Sequence, residues 1–131
     1  MSVPAALRRW FIVHFVADLL FALPLMVAPT AFLTTLGWES VDPISARLVG
    51  AALIGIGVES WLGRDRPAES YRTMLRVKML WSASAALGIA VSMVQGAPQM
   101  GWGFFGIFAA FNLLWTYWYR RLARQPASGL A

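Results

Sequence analysis

Five polar side chains interrupt apolar stretches of this chain, and they are the candidates for its chemistry. They are His14, Asp18, Glu59, Lys78 and Asn112. Ionisable groups within apolar segments are costly, which makes them functional candidates by default. His14, Asp18 and Glu59 can take up and release protons, and Lys78 supplies a positive counter-charge. We therefore treat the five as candidate ligand-binding or proton-binding residues.

The segments that carry these residues are long and apolar, with charges at their ends. Of the 131 residues, 59% are hydrophobic and 13% are charged, whereas soluble domains average roughly 45–50% apolar residues. This composition predicts an all-α integral membrane four-helix bundle, with residues 1–131 forming one membrane domain. Residues 125–131 are expected to form a flexible tail. The predicted spans are residues 10–27, 43–62, 71–94 and 99–119.

The stretch between the first two spans has its own pattern. Residues 30–38 are apolar but too short to cross a membrane, with Pro29 before them and Gly37 near their end. We predict a short helix there, lying at the membrane interface. The second span should then begin with Asp42 as its cap and Pro43 in its first turn.

Small residues recur four positions apart in the second span. The pairs are Ala46 with Gly50 and Ala51 with Gly55. Such spacing lets helix backbones approach closely. Both faces are predicted to be buried, against other helices or against another protomer.

Each predicted span places a polar group in the half of the bilayer nearer the cytoplasm. The functional interpretation is a polar pocket open, or nearly open, to the cytoplasm. Within it, the sequence favours Asp18 paired with Lys78 in a partly hydrated cavity. Three alternatives remain: Asp18 is protonated and unpaired, the groups pair only to fix helix register, or His14, Lys78 and Arg76 extend to the interface.

Arg47 lies near the opposite boundary of the membrane. It is a candidate contact for an anionic headgroup or a carboxylate. It is also placed to pair with Asp42 or Glu39, or simply to extend to the interface.

Several functional classes are excluded or unsupported. Without cysteine, the chain has no disulfide, thiolate metal site or cysteine nucleophile. Its one histidine cannot provide paired metal ligands, and we assign neither catalytic residues nor a metal site. The net charge of +5 comes from arginines at the ends of apolar runs, which orientation in a membrane explains better than nucleic-acid binding does.

The chain resembles the small four-helix bacterial membrane proteins of the DoxX-like group. The similar features are the stretch from Pro29 to Trp38, then Asp42-Pro43, then Ala46-Arg47-Leu48-x-Gly50, then Gly55-x-Gly57 with Glu59. The group includes members of unknown function and others associated with quinone-linked sulfur oxidation and with membrane redox stress. The resemblance therefore implies a quinone or a lipid as the candidate cofactor or ligand.

Three functional hypotheses follow. The first is binding of a lipid-like molecule such as a quinone or an isoprenoid, or an accessory role in a membrane redox complex. The second is a small proton-coupled carrier or channel that uses Asp18 and Glu59. The third is a structural subunit of a membrane complex. Expected partners are membrane lipid and other membrane subunits or further copies of the chain; an independent enzyme is the least supported class.

The arginines predict the orientation in a bacterial-type inner membrane. Most of them lie in the segment before the first span, in the link between spans two and three, and in the segment after the fourth span. Under the positive-inside rule these segments, and both termini, are cytoplasmic. Cysteines introduced at Ser2 and Ser128 should be labelled from the cytoplasmic side, and a cysteine at Ser40 from the opposite side. Labelling of all three from one side would contradict this topology.

Overall fold

The computed structural model describes residues 2–124, and this part of the chain is helical without any strand. The all-α prediction is confirmed. The expected tail at 125–131 lies outside the described residues. The α-helices are Ala5–Val27 (α1), Pro29–Thr35 (α2), Pro43–Leu62 (α3), Ala68–Val94 (α4) and Met100–Ala123 (α5), with a 3-10 turn at Gly63–Asp65 after α3.

Three of these helices are long and apolar enough to cross a membrane: α1, α3 with the turn that follows it, and α4. Large apolar side chains such as Leu20, Leu80 and Val94 are exposed on their outer faces, as expected where lipid rather than water surrounds a protein. Helix α5 has 24 residues but is not among the three helices that are apolar enough by this measure. Its glycines, Asn112 and several indole and phenol groups lower its mean hydropathy.

The predicted cap of α3 is confirmed. The Asp42 carboxylate accepts hydrogen bonds from the backbone amides of Ile44 and Ser45, at 3.1 and 3.2 Å, and from the Ser45 hydroxyl. Pro43 occupies the first helical position, where no backbone donor is needed. The hydroxyl of Ser45, followed by the two amides, lowers the pKa of the Asp42 carboxyl below its ordinary value.

Helix α2 is shorter than the predicted segment 30–38. Gly37 adopts a φ of 101°, which favours glycine. The Trp38 amide donates to the Leu33 carbonyl and the Gly37 amide to that of Thr34. This Schellman pattern ends the helix.

Helices α1 and α3 pack as one antiparallel pair. Gly50 lies against Met26 and Leu25, and Gly57 lies against Asp18. The buried face of α3 consists of small residues with one leucine among them, namely Ala46, Gly50, Leu53, Gly57 and Ser60. The small side chains let the two backbones approach closely.

The second predicted small face of α3 is not buried within this chain. Ala51 and Gly55 are exposed, and a Cβ at Gly55 would meet nothing within 4 Å. The expectation that this face packs against other helices of the chain is therefore wrong for the described residues, and its packing against another protomer stays a prediction. The face of Gly57, two residues further on, is the one that contacts α1.

Helices α4 and α5 form the other antiparallel pair. The Asn112 amide of α5 donates to the Met79 carbonyl of α4 at 2.9 Å. Near the opposite ends of the two helices, Gly101 lies against Met93. These contacts place the start of α4 beside the end of α5.

The two pairs join mainly at one end, which we call the basic end. A buried apolar cluster fills it, consisting of Leu7 and Phe11 of α1, Tyr71 and Leu75 of α4, and Trp115, Trp118 and Leu122 of α5. Every basic residue except Arg47 and Lys78 belongs to the helix ends and links at this same end. Beyond the cluster, the pairs also meet through aromatic contacts of Phe21 and Trp38 with Phe104.

The contact of Gly57 with Asp18 leads to a prediction with a matched control. A Cβ on Gly57 would lie 2.8 Å from the Cβ of Asp18, so Gly57→Ala forces α1 and α3 apart. We expect it to lower the free energy of unfolding in detergent by about 1–3 kcal/mol. Gly55→Ala, with open space around it, should cause no loss. Equal stability of the two variants in thermal unfolding would contradict this packing.

Candidate functional site

The Lys78 ammonium group lies inside the protein, just beyond the apolar cluster of the basic end. Its residue is only 3% exposed. Its Nζ lies 2.9 Å from His14 Nδ1 and donates to Ser60 Oγ at 2.6 Å. The rings of Phe11 and Trp115 lie 5.0 and 5.2 Å from Nζ, where their π faces attract a cation. Contacts from α1, α3 and α5 thus converge on one side chain of α4.

His14 lies between Lys78 and Asp18. An ammonium group can only donate, so Nδ1 of His14 is the acceptor and the neutral ring carries its proton on Nε2. Asp18 Oδ2 lies 3.0 Å from the same Nδ1 but has no hydrogen-bond partner among the described residues. The reason is that Nδ1, which accepts from Lys78, carries no proton and therefore cannot donate to the carboxylate.

This arrangement corrects the predicted pairing of Asp18 with Lys78. Within residues 2–124 no direct ion pair joins them, because the imidazole of His14 lies between them. The expectation that His14 and Lys78 extend to the interface is also wrong, since both are buried. Arg76, by contrast, is exposed.

Asn112 supports the site from α5. Besides its bond to Met79, its amide donates to Ser82 Oγ at 3.0 Å. The Ser82 hydroxyl in turn donates to the Lys78 carbonyl at 2.7 Å. Asn112 and Ser82 therefore tie α5 to the turn of α4 that carries Lys78.

Glu59 does not join the buried group. It is exposed and lines a cavity of about 320 Å³ between α3 and α4, which we call the side cavity. Ser60, Thr73 and the stem of Lys78 also line this cavity. Of the five candidates, the structure brings four into one hydrogen-bonded or contacting group and leaves Glu59 outside.

A larger cavity of about 600 Å³, the central cavity, lies between the two helix pairs. Its lining is apolar over most of its length, with Phe21, Leu53 and Phe108 among the side chains. The buried polar residues His14, Asp18 and Ser82 line the end nearest the basic end, which we call the floor.

The position of the central cavity differs from the predicted pocket. A pocket open to the basic end was expected, but the cluster around Phe11 and Trp115 closes that end. The cavity instead extends from the floor toward Leu33, Trp38 and Ala97 at the opposite end. Aromatic packing at the helix ends, which simple depth arguments do not capture, accounts for the difference.

Arg47 makes a contact that was not predicted. Its Nε donates to the Met26 carbonyl at 3.1 Å, one of the carbonyls in the last turn of α1. Cations are favourable at this end of a helix. No ion pair with Asp42 or Glu39 forms within the described residues, because Asp42 is engaged in capping α3.

Three residues of the site were not singled out from the sequence. Ser60 is one helical repeat beyond Gly57 on the buried face of α3, so the small-residue periodicity could have identified it. Trp115 is fully buried, although a tryptophan near the end of a membrane helix commonly lies at the interface. Phe11 carried no distinguishing signal, because an aromatic residue near a helix end is common in membrane proteins.

Comparison of the chain with family models, with curated proteins and with solved structures finds no match. Among the described residues, no group of three histidine or carboxylate side chains has the geometry of a metal site. Functional inference therefore depends on the geometry of the two cavities and of the group around Lys78.

The bond from Lys78 to Ser60 can be tested against a similar serine. Ser60 and Ser92 each donate to the carbonyl four residues earlier, but only Ser60 also accepts from a buried ammonium. Ser60→Ala should cost about 1.5–3 kcal/mol of unfolding free energy, as for a lost hydrogen bond to a charged group. Ser92→Ala, at an exposed position, should cost far less. The unfolding free energies are measured by denaturant titration in mixed micelles. A similarly small loss in both variants would show that the bond from Lys78 to Ser60 is not as strong as expected.

Proposed function

We propose that the protein holds an elongated, lipid-like molecule of the quinone or isoprenoid class in the central cavity. The observation that carries this proposal is the cavity's shape and lining. Its volume of about 600 Å³ lies within the range of pockets that enclose small ligands. An apolar length that ends in His14, Asp18 and Ser82 suits an apolar tail with a single polar head.

We further propose that α5 crosses the membrane together with α1, α3 and α4, as a four-helix membrane bundle. Its 24 residues extend about 36 Å at the usual helical rise. It packs antiparallel to α4, a candidate span, and contributes Phe104 and Phe108 to the central cavity. The gathering of arginines at the basic end supports the orientation with both termini in the cytoplasm of a bacterial-type cell.

The resemblance to the DoxX-like group remains part of the proposal. Of the residues that carry it, Ala46 and Gly50 lie on the face of α3 that packs against α1, together with Gly57. Ala46 also lines the central cavity. A quinone as ligand, or an accessory role in a membrane redox complex, would agree with the quinone-linked chemistry associated with that group.

The geometry favours binding over a proton-coupled carrier. A carrier that uses Asp18 and Glu59 needs one path past both carboxylates. Asp18 lines the central cavity and Glu59 the side cavity, and the contact of Lys78 with His14 lies between them. A structural subunit would contact its partners through the outer faces of the helices, such as the face of Gly55. That role would give the central cavity no function.

Filling the cavity tests the proposal. Gly88 lines the central cavity whereas Gly106 does not, and a Cβ at either would meet nothing within 4 Å. Farnesol and a benzoquinone with a decyl chain serve as probes, measured by native mass spectrometry from detergent. Saturable binding of at least one probe is expected in the wild-type protein and in Gly106→Phe, with a loss of about tenfold or more in Gly88→Phe.

Two results would contradict the proposed function. One is the absence of saturable binding of either probe to the wild-type protein. The other is equal binding by Gly88→Phe and Gly106→Phe, which would place the bound molecule on the outer surface. Thermal unfolding of both variants provides the control for folding.

A further inference from the structure

We infer that the central cavity selects a ligand whose head is a neutral hydroxyl group, and that Asp18 accepts the hydrogen bond from this group. The inference rests on the proposed function, since it names the head-group chemistry for the same cavity. It follows from which hydrogen-bond acceptors of the floor are already engaged and which one is not.

Most of the polar capacity at the floor is used within the protein. The Ser82 hydroxyl donates to the Lys78 carbonyl and accepts from Asn112. Nδ1 of His14 accepts from Lys78. Ser82 Oγ and His14 Nδ1 therefore have little capacity left to accept a hydrogen bond from a ligand.

Asp18 is the exception among the hydrogen-bond acceptors, while the indole Nε1 of Trp81, a donor in the lining of the same cavity, is also enclosed without a partner. Asp18 is only 6% exposed, yet its carboxylate forms no hydrogen bond with the described residues, and Oδ2 is completely enclosed without a partner. The backbone of α3 at Gly57 closes one side of it, because even a Cβ there would lie 2.8 Å from the Asp18 Cβ. The side chain lines the central cavity, so a donor from the cavity would reach the other carboxylate oxygen, Oδ1, which is not enclosed.

The charge of the buried group decides which kind of donor fits. The Lys78 ammonium and the Asp18 carboxylate lie on either side of a neutral His14, and their charges balance. An ammonium head or a carboxylate head would add an uncompensated charge in a region of low dielectric, which is strongly unfavourable. A neutral alcohol, phenol or quinol donates a hydrogen bond and preserves the balance.

Probes with one tail and different heads test this selection. Farnesol, its methyl ether and farnesoic acid share the same apolar chain, and only farnesol is a neutral hydroxyl donor. Farnesol should bind the wild-type protein about tenfold or more tightly than the ether, as expected for a hydrogen bond to a charged acceptor. The acid at neutral pH should bind more weakly than farnesol as well.

Variants assign the preference to Asp18. Asp18→Leu should bind farnesol and its methyl ether equally, whereas Ser84→Ala, which alters another side chain of the same cavity, should keep the wild-type preference. Equal affinity of the wild-type protein for alcohol and ether, or a preference for the ether or the acid, would overturn the inference. That comparison needs no variant, so it decides even if Asp18→Leu does not fold.

The result also separates this inference from the proposed function. If alcohol and ether bind equally and Gly88→Phe weakens both, the cavity holds a lipid-like ligand but Asp18 does not select its head. If no probe binds, or if Gly88→Phe has no effect, both the function and the selection are wrong.

Discussion

The burial of one ammonium group constrains the interior of this protein. Lys78 projects from α4 into a region from which solvent is excluded, where an uncompensated charge would cost several kcal/mol. Its partners come from three other helices: His14 and Phe11 from α1, Ser60 from α3 and Trp115 from α5. Because they belong to both helix pairs, satisfying this one charge requires the pairs to meet at this level and in this register.

The central cavity is a consequence of where the pairs meet. On the side of Lys78 toward the basic end, large side chains such as Phe11 and Trp115 fill the space between the pairs. On the other side, small residues hold α1 tightly against α3, and the cavity separates this pair from α4 and α5 except where aromatic side chains such as Phe21 and Phe104 meet across it. The same arrangement that neutralises the ammonium leaves the Asp18 carboxylate at the cavity floor without a donor. The buried ammonium group that requires the helix pairs to meet and the carboxylate proposed to bind a ligand therefore lie close together.

Local features of the chain were predictable because they depend on neighbouring residues. Asp42 caps α3 as its type and position indicate, and Gly37 marks the end of α2. His14 and Asp18 are four residues apart, a spacing that places two side chains on one helix face, and they are in contact.

Features that depend on how helices pack were not predictable. Gly55 and Gly57 have similar surroundings in the sequence, and only the rotation of α3 about its axis determines which one contacts α1. The burial of Trp115 on α5 and the exposure of Glu59 on α3 likewise depend on how each helix is rotated about its axis.

The most direct test of the account is to determine the protonation of His14, the only histidine of the chain. The measurement is solid-state NMR of the protein labelled with ¹⁵N-histidine, in lipid at neutral pH. If Lys78 donates to Nδ1, the spectrum will show a neutral ring with its proton on Nε2 and an unprotonated Nδ1 that accepts a hydrogen bond. A proton on Nδ1, in either a neutral or a cationic ring, would contradict the account, because that nitrogen could then not accept the bond from the buried ammonium.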